Sequence, residues 1–395
     1  MEQPLNIMTP EARANPYPLY AELRRGPIRQ VEPGGMWAVS RYEDVVTVMK
    51  DPRRFSSAGL AMSFRPPYLD RNPTADSLVM KDPPEHGAMR ARLTPAFGPA
   101  ALAALEPKVR AIAEDIAERA VRRRELDFVS GVSEQMPVRV LGLLFGLDAD
   151  RIPLLKVWAD DLLSIPAAMP PPERQARIRQ SLIDMERCFG GLIDERKERP
   201  GEDLISQLLR PGADGSTLTR DELMSFLFAL VPAGVETTLH LLSNTLVVLA
   251  RHPEVFERVR ADLSLVPRLV EEVLRYEPPA HASLRLTTEE TVLGGVTLPR
   301  GAIVAVLLGS AVHDERQYPH PDRFDLDRDK PTNIVFGHGI HFCVGAVLSR
   351  MEARLTLEAL FSRIRGFTLL EEKVAWSPSF IARGPVSLPI RLDPA

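Results

Sequence analysis

The chain has 395 residues, of which 45% are hydrophobic and 26% charged, so it can bury a large core as one big domain or two ordinary ones. Its formal net charge of -4 lacks the basic excess typical of nucleic-acid binding, and we expect no nucleic-acid partner. The N-terminal residues lack a basic start followed by an apolar run, so we expect a cytoplasmic protein without a membrane anchor.

Helical periodicity dominates the chain, and strand-like alternation gathers near its two ends. The periodicity predicts helices over residues 15–25, 42–50, most of 84–146, 173–198, 219–251, 267–276 and 346–363. Alternation and turn residues predict a hairpin over residues 28–40 and strands over residues 283–290, 294–310 and 379–392. No repeat or low-complexity segment divides the chain, so we expect one mainly α domain with small β-sheets over residues 1–395.

The most apolar long run covers residues 223–250 and is long enough to be a membrane-span candidate. Its middle contains Glu236, His240 and Asn244, and a carboxylate at a bilayer centre costs about 2.5–3.5 kcal/mol on insertion scales. We therefore expect a helix buried inside a soluble domain. Thr219 and Glu222 match the capping-box pattern at its start.

The middle of this run, PAGVETT, predicts a ligand-binding face. Pro232 lacks an amide hydrogen, so the helix is expected to distort there, and Gly234 removes bulk at the same place. Helical spacing puts five residues on one face, namely Leu230, Ala233, Gly234, Thr237 and Leu241. Thr237 could simply bond back to its own helix, but Glu236 needs a partner, a water chain or a role in moving protons.

One of the two cysteines, Cys343, lies in the stretch FGHGIHFCVGA. Gly339 and Gly345 allow a tight loop around it, and the helical run that follows places the sulfur near a helix N-terminus, which favours a thiolate. Without companion cysteines this sulfur suits neither a structural zinc site nor an iron–sulfur cluster, but it suits a single axial bond to haem iron. An unligated buried thiol is the alternative, and it is the interpretation we give Cys188.

Two polar sets add to this pattern. Glu272 and Arg275 lie three residues apart on a predicted buried helix, where they would need planar pairing and a further partner such as Arg323. Four other donors could clamp two carboxylates of the kind that haem propionates present, namely His86, Arg90, Arg285 and His341. Each of these residues taken singly is more often an ordinary surface group.

Three motifs in this order and spacing resemble those of bacterial cytochromes P-450, and the resemblance covers nearly the whole chain. Residues 336–345 fit F-x-x-G-x-x-x-C-x-G, residues 233–238 fit A-G-x-[DE]-T-T, and residues 272–275 fit E-x-x-R. The resemblance implies a cytochrome P-450 fold, mainly α with small β-sheets. In that fold a triangular helical domain buries haem between the long central helix and the cysteine loop.

The resemblance also assigns roles to individual residues. The residues that it implies bind haem are Cys343 as the axial thiolate, with His86, Arg90, Ala233, Arg285, Phe336, Gly337, His341 and Gly345 around the group. It implies catalytic roles for Gly234, which makes space for dioxygen, and for Glu236 and Thr237, which deliver protons. It implies a structural triad of Glu272, Arg275 and Arg323.

The activity implied is that of a haem-thiolate monooxygenase, which inserts one oxygen atom from dioxygen into a hydrophobic small molecule by hydroxylation or epoxidation, in secondary or xenobiotic metabolism. The implied cofactor is haem b. Too little chain follows the cysteine helix for a reductase domain, so NAD(P)H is expected to supply electrons through a separate ferredoxin and ferredoxin reductase. Arg350 and Arg354 could form a cationic docking face for that partner. We expect a monomer.

Other functions remain open from the sequence. A haem-based sensor or a non-oxidising cytochrome-like binding protein would need the haem but not Glu236 and Thr237. A cysteine hydrolase would use Cys343 with His338 or His341 as the base, but nothing supplies an orienting partner for that base.

The substrate is the least determined part of the prediction. Family position suggests a mostly apolar pocket lined by Leu60, Met62, Phe64, Leu230, Ala233, Ala282, Ser283, Leu284, Phe380 and Ile381. A polyketide, terpenoid, steroid or fatty acid derivative would suit such a lining, and the sequence does not rank these classes.

Overall fold

The computed structural model describes residues 5–165, 169–212, 215–329 and 333–395. The chain forms two compact units. The first unit comprises the segments Met1–Ser56, Lys108–Met136 and Thr237–Ala395, and the second comprises Ser57–Pro107 and Pro137–Glu236.

Helices make up most of both units. In chain order the α-helices of the described residues are α1 Pro10–Ala14, α2 Tyr17–Arg25, α3 Tyr42–Lys50, α4 Glu85–Leu93, α5 Pro99–Arg123, α6 Gln135–Phe145, α7 Leu154–Leu163, α8 Pro172–Glu198, α9 Leu204–Leu209, α10 Arg220–Arg251, α11 Pro253–Ala261, α12 Val266–Tyr276, α13 Leu308–Ala311 and α14 Ala346–Phe361. Short 3-10 helices lie between them, including Ala58–Phe64, Ile334–Phe336 and Gly339–His341. The mainly helical prediction is confirmed.

The strands of the described residues are short and all lie in the first unit. They are β1 Arg29–Val31, β2 Met36–Val39, β3 Phe55–Ser56, β4 Glu125–Asp127, β5 Ser283–Thr287, β6 Thr291–Leu293, β7 Val296–Leu298, β8 Ile303–Val306, β9 Ile364–Leu369 and β10 Pro389–Pro394. A five-stranded sheet has the order β1-β2-β8-β5-β3, a three-stranded sheet has the order β4-β10-β9, and β6 pairs with β7.

The predicted hairpin over residues 28–40 is confirmed, because β1 and β2 pair antiparallel with Val31 opposite Met36. Two other predictions are wrong in part. Residues 308–310, predicted as strand, belong to the short helix α13. The predicted helical region 84–146 is interrupted by β4, which pairs with β10 from the end of the chain, so that a distant partner overrides the local pattern.

The long helix α10 begins where the sequence predicts. The Thr219 amide donates to Glu222 Oε2 at 2.8 Å and the Glu222 amide donates to Thr219 Oγ1 at 3.2 Å, which is the reciprocal capping box. The helix continues through Pro232. By length and composition α10 alone among the described helices could cross a membrane, and 61% of its most apolar window is buried inside the structure.

Candidate active site

The cysteine loop of the first unit is a tight turn shaped by two glycines. Gly337 and Gly339 have φ angles of +81° and +68°, in the left-handed region that side chains other than glycine rarely adopt. The Cys343 amide donates to the Phe336 carbonyl oxygen at 2.8 Å and closes the loop. Helix α14 begins three residues after Cys343, so the thiol lies beside a helix N-terminus, where a negative sulfur is stabilised.

The end of α3 supports this loop from behind. A Cβ atom at Gly339 would lie 2.5 Å from the Met49 carbonyl oxygen, so the two backbones approach as closely as a glycine allows. Near the sulfur there is more room, because a Cβ atom at Gly345 would still lie 4.0 Å from Cys343 Sγ. The loop is therefore braced on one side and open around the thiol.

The donor set fits haem held by one cysteine. The described residues contain no group of three or more His, Cys, Asp or Glu side chains that could form an all-protein metal site. Cys343 is exposed in its loop, and a single thiolate can provide one axial bond to a metal whose other ligands belong to a porphyrin. The residues present therefore match the cofactor implied by the resemblance.

The helix α10 exposes a face in the middle of an otherwise buried sequence. Nearly every residue from Leu223 to Phe228 and from Thr238 to Leu249 is buried. Ala233 is exposed, and Leu230, Gly234, Glu236 and Thr237 are half-buried. Four members of the predicted face are therefore accessible, whereas the fifth, Leu241, is fully buried.

A hydrogen bond ties α10 to the cysteine helix within the first unit. Thr238 Oγ1 donates to Ser349 Oγ at 3.0 Å, and Ser349 belongs to the first turn of α14. Thr237, the next residue back along α10, is thereby fixed near the start of the helix that follows Cys343. The two predicted site residues Thr237 and Cys343 therefore lie on neighbouring elements of the first unit.

The glycine at position 234 is not required by its protein neighbours. A Cβ atom there would lie 3.5 Å from Leu141, which is an ordinary van der Waals distance, within the second unit. Contacts inside that unit thus leave space for alanine. The role of Gly234 in making room for a ligand stays a prediction.

The predicted propionate ligands belong to both units. In the first unit, Arg285 lies on β5 with its side chain buried, and its Nη1 donates to Ser283 Oγ at 2.8 Å and to the Leu284 carbonyl oxygen at 2.7 Å. His341 is half-buried in the cysteine loop. In the second unit, His86 and Arg90 lie four residues apart on α4, and burial, followed by the charge of Arg90, lowers the pKa of His86.

The E-x-x-R pair is buried as predicted, but its third member differs. Arg275 Nε and Nη2 donate to the two oxygens of Glu272 at 3.0 and 2.9 Å. The second guanidinium on Glu272 is that of Arg328, whose Nε donates to Oε1 at 3.2 Å. Arg323 is exposed and takes part through its carbonyl oxygen, which accepts from Arg275 Nη2 at 3.1 Å. The prediction of an Arg323 side chain in the triad is therefore wrong.

The arginines of α14 are paired with carboxylates. Arg350 makes a two-point ion pair with Glu271 and lies 4.2 Å over the Phe336 ring, so it supports the cysteine loop. Arg354 pairs with Glu358 at 3.2 Å. Each guanidinium thus has a carboxylate partner while its side chain stays about one third exposed, and the docking face remains a prediction.

The residues predicted to line a substrate pocket have varied exposure. In the second unit, Leu60 is buried, Phe64 is half-buried and Met62 is 72% exposed on the 3-10 helix Ala58–Phe64. In the first unit, Ala282 is buried in the hydrophobic core and Leu284 and Phe380 are partly buried against that core. Ser283 is half-buried and Ile381 is exposed.

A buried polar cluster that the sequence analysis did not predict lies in the first unit, next in the chain to residues 282–284 and 380–381. It joins Glu277, Arg383 and Asn244 through hydrogen bonds that link helix α10 to two distant segments of the first unit. Glu277 directly follows the E-x-x-R helix in a stretch that ends in two prolines, and an acidic residue there looks like an ordinary loop residue. Only the fold brings Arg383 to it.

The comparisons with known proteins agree with the geometry. The family model described as cytochrome P-450 matches residues 177–378. The chain is 37% identical over 359 residues to the cyclomarin C epoxidase CymV of Salinispora arenicola, covering 90% of each chain. It is 32% identical over 393 residues to the 6-deoxyerythronolide B hydroxylase of Saccharopolyspora erythraea, covering 95% of this chain and 96% of the relative.

A solved structure gives the same result for the fold. The structure of CYP109Q5 from Chondromyces apiculatus superposes with a TM-score of 0.91 at 40% identity, and the match covers 99% of this chain and 98% of that one. The chain therefore belongs to the cytochrome P-450 family, and it is a haem-thiolate monooxygenase that uses haem b and acts on small molecules with electrons from NAD(P)H delivered by redox partners.

Proposed function

We propose that Cys343 supplies the thiolate that binds the haem iron of this monooxygenase. The observation that carries the proposal is the position of its sulfur, beside the N-terminus of α14 in a loop shaped by Gly337 and Gly339. The helix dipole and the loop amides favour a thiolate over a thiol at that point. Haem with a thiolate ligand supplies the chemistry that activates dioxygen for insertion of one oxygen atom into a substrate.

The residues around the cysteine would orient the haem. Arg285 and His341 of the first unit would donate hydrogen bonds to its propionates, because guanidinium and imidazole groups suit carboxylates. The same role stays a prediction for His86 and Arg90. Phe336, held under the Arg350 guanidinium, would pack against the cysteine side. Gly337, Gly345 and Ala233 would allow close approach because they carry little or no side chain.

The accessible turn of α10 would control protons. Thr237 offers a hydroxyl that can donate and accept, and Glu236 beside it offers a carboxyl that can exchange protons with solvent. Both are half-buried in a helix whose other residues are mostly buried, so a functional reason for the two polar groups is favoured. Gly234 would leave room for dioxygen next to them.

We propose a hydrophobic small molecule of medium or large size as the substrate, and hydroxylation or epoxidation as the reaction. The predicted lining is mainly apolar, and Met62 and Ile381 expose 72% and 38% of their surface. Two relatives, named as an epoxidase and as a hydroxylase, support both reaction types.

The wider setting is also a proposal. A ferredoxin and a ferredoxin reductase would deliver the electrons, and the protein would act as a cytoplasmic monomer folded as one cytochrome P-450 domain. The buried window of α10 supports a helix that belongs to the core.

The proposal is tested by replacing Cys343 with His. Imidazole can still bind haem iron, so the variant should retain haem, but loss of the thiolate should abolish product formation. The reduced, carbon monoxide-treated wild type should show the red-shifted band of a thiolate-ligated haem, and Cys343→His should lose it. Full turnover by Cys343→His, or no such band in the wild type, would contradict the assignment.

The same assay tests the proton-delivering role. Thr237→Ala should consume NAD(P)H with less product and more peroxide, because a proton donor is missing, whereas Thr237→Ser keeps a hydroxyl and should restore coupling. Equal coupling in the wild type and in Thr237→Ala would remove Thr237 from the mechanism.

A further inference from the structure

A buried ion pair lies in the first unit apart from the residues assigned to the haem. Arg383 Nε donates to Glu277 Oε1 at 2.8 Å, and the side chains are only 7% and 3% exposed. The same oxygen accepts a hydrogen bond from the Tyr17 hydroxyl at 2.8 Å. Burial and then the charge of Glu277 raise the pKa of Tyr17 well above its usual value, so this hydroxyl keeps its proton and remains a donor.

Each of the three guanidinium nitrogens of Arg383 donates a hydrogen bond. Its Nη1 donates to the Arg13 carbonyl oxygen and its Nη2 donates to the Ala14 carbonyl oxygen at 3.0 Å. Its Cζ atom lies 3.7 Å from the centre of the Trp376 ring. Such a planar group with several fixed partners has one allowed position, and lysine cannot reproduce it.

The ion pair joins two segments that both contribute residues to the proposed lining of the substrate pocket. Residues 280–284 follow Glu277 and residues 379–382 precede Arg383 in the chain. The Arg383 amide donates to the Pro279 carbonyl oxygen at 2.8 Å, and the His281 amide donates to the Ile381 carbonyl oxygen at 2.7 Å. The two segments therefore lie side by side, next to the ion pair of Glu277 and Arg383.

Helix α10 is hydrogen-bonded to the backbone of the same two residues, Glu277 and Arg383. Asn244 is fully buried, and its Nδ2 donates to the carbonyl oxygens of Glu277 and Arg383 at 3.0 Å each. Asn244 lies seven residues, about two helical turns, after Thr237. One side chain therefore sets the distance between the helix that carries the proposed proton donor and both segments.

We propose that Glu277, Arg383 and Asn244 are positioning residues that set where the substrate lies, through the segments that present Leu284, Phe380 and Ile381. This inference rests on the proposed function, because it takes those three side chains as part of the substrate pocket. A displacement of a pocket wall by a fraction of an ångström moves the reacting carbon, and misplacement by about 1 Å can cost about 100-fold in rate.

The test compares two ligands that both bind iron through an imidazole nitrogen. Imidazole is small and reports access to the iron, whereas 1-dodecylimidazole also places an apolar chain against the pocket wall. In Arg383→Lys, which keeps the charge but loses the planar hydrogen bonds, we expect the Kd for 1-dodecylimidazole to rise about tenfold. The Kd for imidazole should stay within about twofold of the wild type. Spectral titration of the haem-loaded protein measures both.

Two further variants keep the test decisive. Tyr17→Phe leaves the ion pair intact and removes only the hydroxyl, which donates to Glu277 Oε1 and to the Tyr276 carbonyl oxygen. It should fold and shift the 1-dodecylimidazole Kd in the same direction by about threefold. Arg391→Lys is the matched control, because Arg391 forms an exposed pair with Glu125 at 2.8 Å. It should change neither Kd.

The ratio of the two Kd values separates positioning from a general loss of stability. A purely structural role would lower the unfolding temperature of Tyr17→Phe and Arg383→Lys and leave the ratio unchanged, and that result would overturn the inference. An unaltered protein that shows no spectral response to imidazole would instead contradict the haem site of the proposed function.

Discussion

Glu352 is a carboxyl group placed where a charge is costly. It lies in the middle of α14, is 3% exposed, and its Oε2 atom has no hydrogen-bond partner. Burial raises the pKa of Glu352 to about 8. The side chain is therefore protonated in the folded protein at neutral pH and serves as an uncharged part of the core.

This burial makes the stability of the protein depend on pH. A carboxyl whose folded-state pKa is raised contributes fully to stability below its unfolded-state pKa of about 4.3, and the contribution is lost as pH rises through its folded-state value. Glu352→Gln cannot ionise and should not show this loss. Relative to the variant, the wild type should lose up to about 4 kcal/mol in free energy of unfolding between about pH 5 and pH 8. Chemical denaturation at the two pH values measures the difference.

A second replacement checks the cause of this slope. Glu352→Met also removes the ionisable group but buries no amide, so its unfolding free energy should change with pH as that of Glu352→Gln does. A wild type that tracks both variants across this range would show that burial does not raise the folded-state pKa of Glu352 above its unfolded-state value.

Individual residues could be predicted where a short motif contains them. Cys343, Thr237 and the Glu272–Arg275 pair each belong to such a motif. Arg328 could not be told from Arg323, because both follow Pro321 in one irregular segment and only its folded path brings the Arg328 guanidinium to Glu272. Arg383 could not be assigned at all, since its partner lies 106 residues earlier.

At the scale of elements, the cysteine loop depends on the end of α3. The contact between Gly339 and the Met49 carbonyl oxygen leaves no room for a side chain, and the φ angle of +68° at Gly339 requires a glycine for a second reason. The loop that presents Cys343 is thus shaped by a helix about 290 residues earlier in the chain. Such dependence does not show in local periodicity.

Replacing Gly339 with Ala should displace this loop. The methyl group would have to move backbone atoms of α3 or of the loop, which adds about 1–3 kcal/mol to the cost of the left-handed conformation. We expect lower haem content per purified protein and a lower unfolding temperature, measured from the ratio of haem to protein absorbance and by calorimetry.

The matched control is Gly295→Ala in the turn between β6 and β7. Gly295 has a φ angle of +78°, but a Cβ atom there would meet nothing within 4 Å. It should lose about 1 kcal/mol and keep full haem content. Equal haem content in the two variants would mean that the contact with Met49 does not shape the site.

Element prediction succeeded where the local pattern agrees with tertiary contacts. The capping box at Thr219 and the hairpin β1–β2 are encoded within a few residues, and both appear as expected. The strand β4 and the helix α13 were missed because long-range pairing and close contacts with α2 and α3 decide them. Periodicity alone carries no information about such partners.

For the whole molecule, the central question raised by the sequence is whether α10 belongs to a core or to a bilayer. Its composition permits either, but several of its polar side chains donate hydrogen bonds inside the protein. Asn244 donates to two carbonyl oxygens of the first unit, and Ser243 Oγ donates to Ser133 Oγ at 2.8 Å. Replacing such polar side chains with apolar ones would stabilise a helix that faces lipid. In a helix inside a protein core, the same replacement removes hydrogen bonds and lowers the free energy of unfolding.

Replacing Asn244 with Leu separates these possibilities, because it makes α10 more apolar while it removes its donor to Glu277 and Arg383. In a core helix each buried carbonyl left without its donor costs about 1–3 kcal/mol, so the free energy of unfolding should fall and the folded protein should remain in the supernatant after ultracentrifugation. Thr245→Val is the control: it also raises hydropathy, but it removes only a bond back to the Leu241 carbonyl oxygen at 2.8 Å and should cost at most about 1 kcal/mol. Transfer of Asn244→Leu to the membrane fraction without loss of stability would refute the core assignment. In a core helix, removing the hydrogen bonds that Asn244 donates to Glu277 and Arg383 must lower the free energy of unfolding.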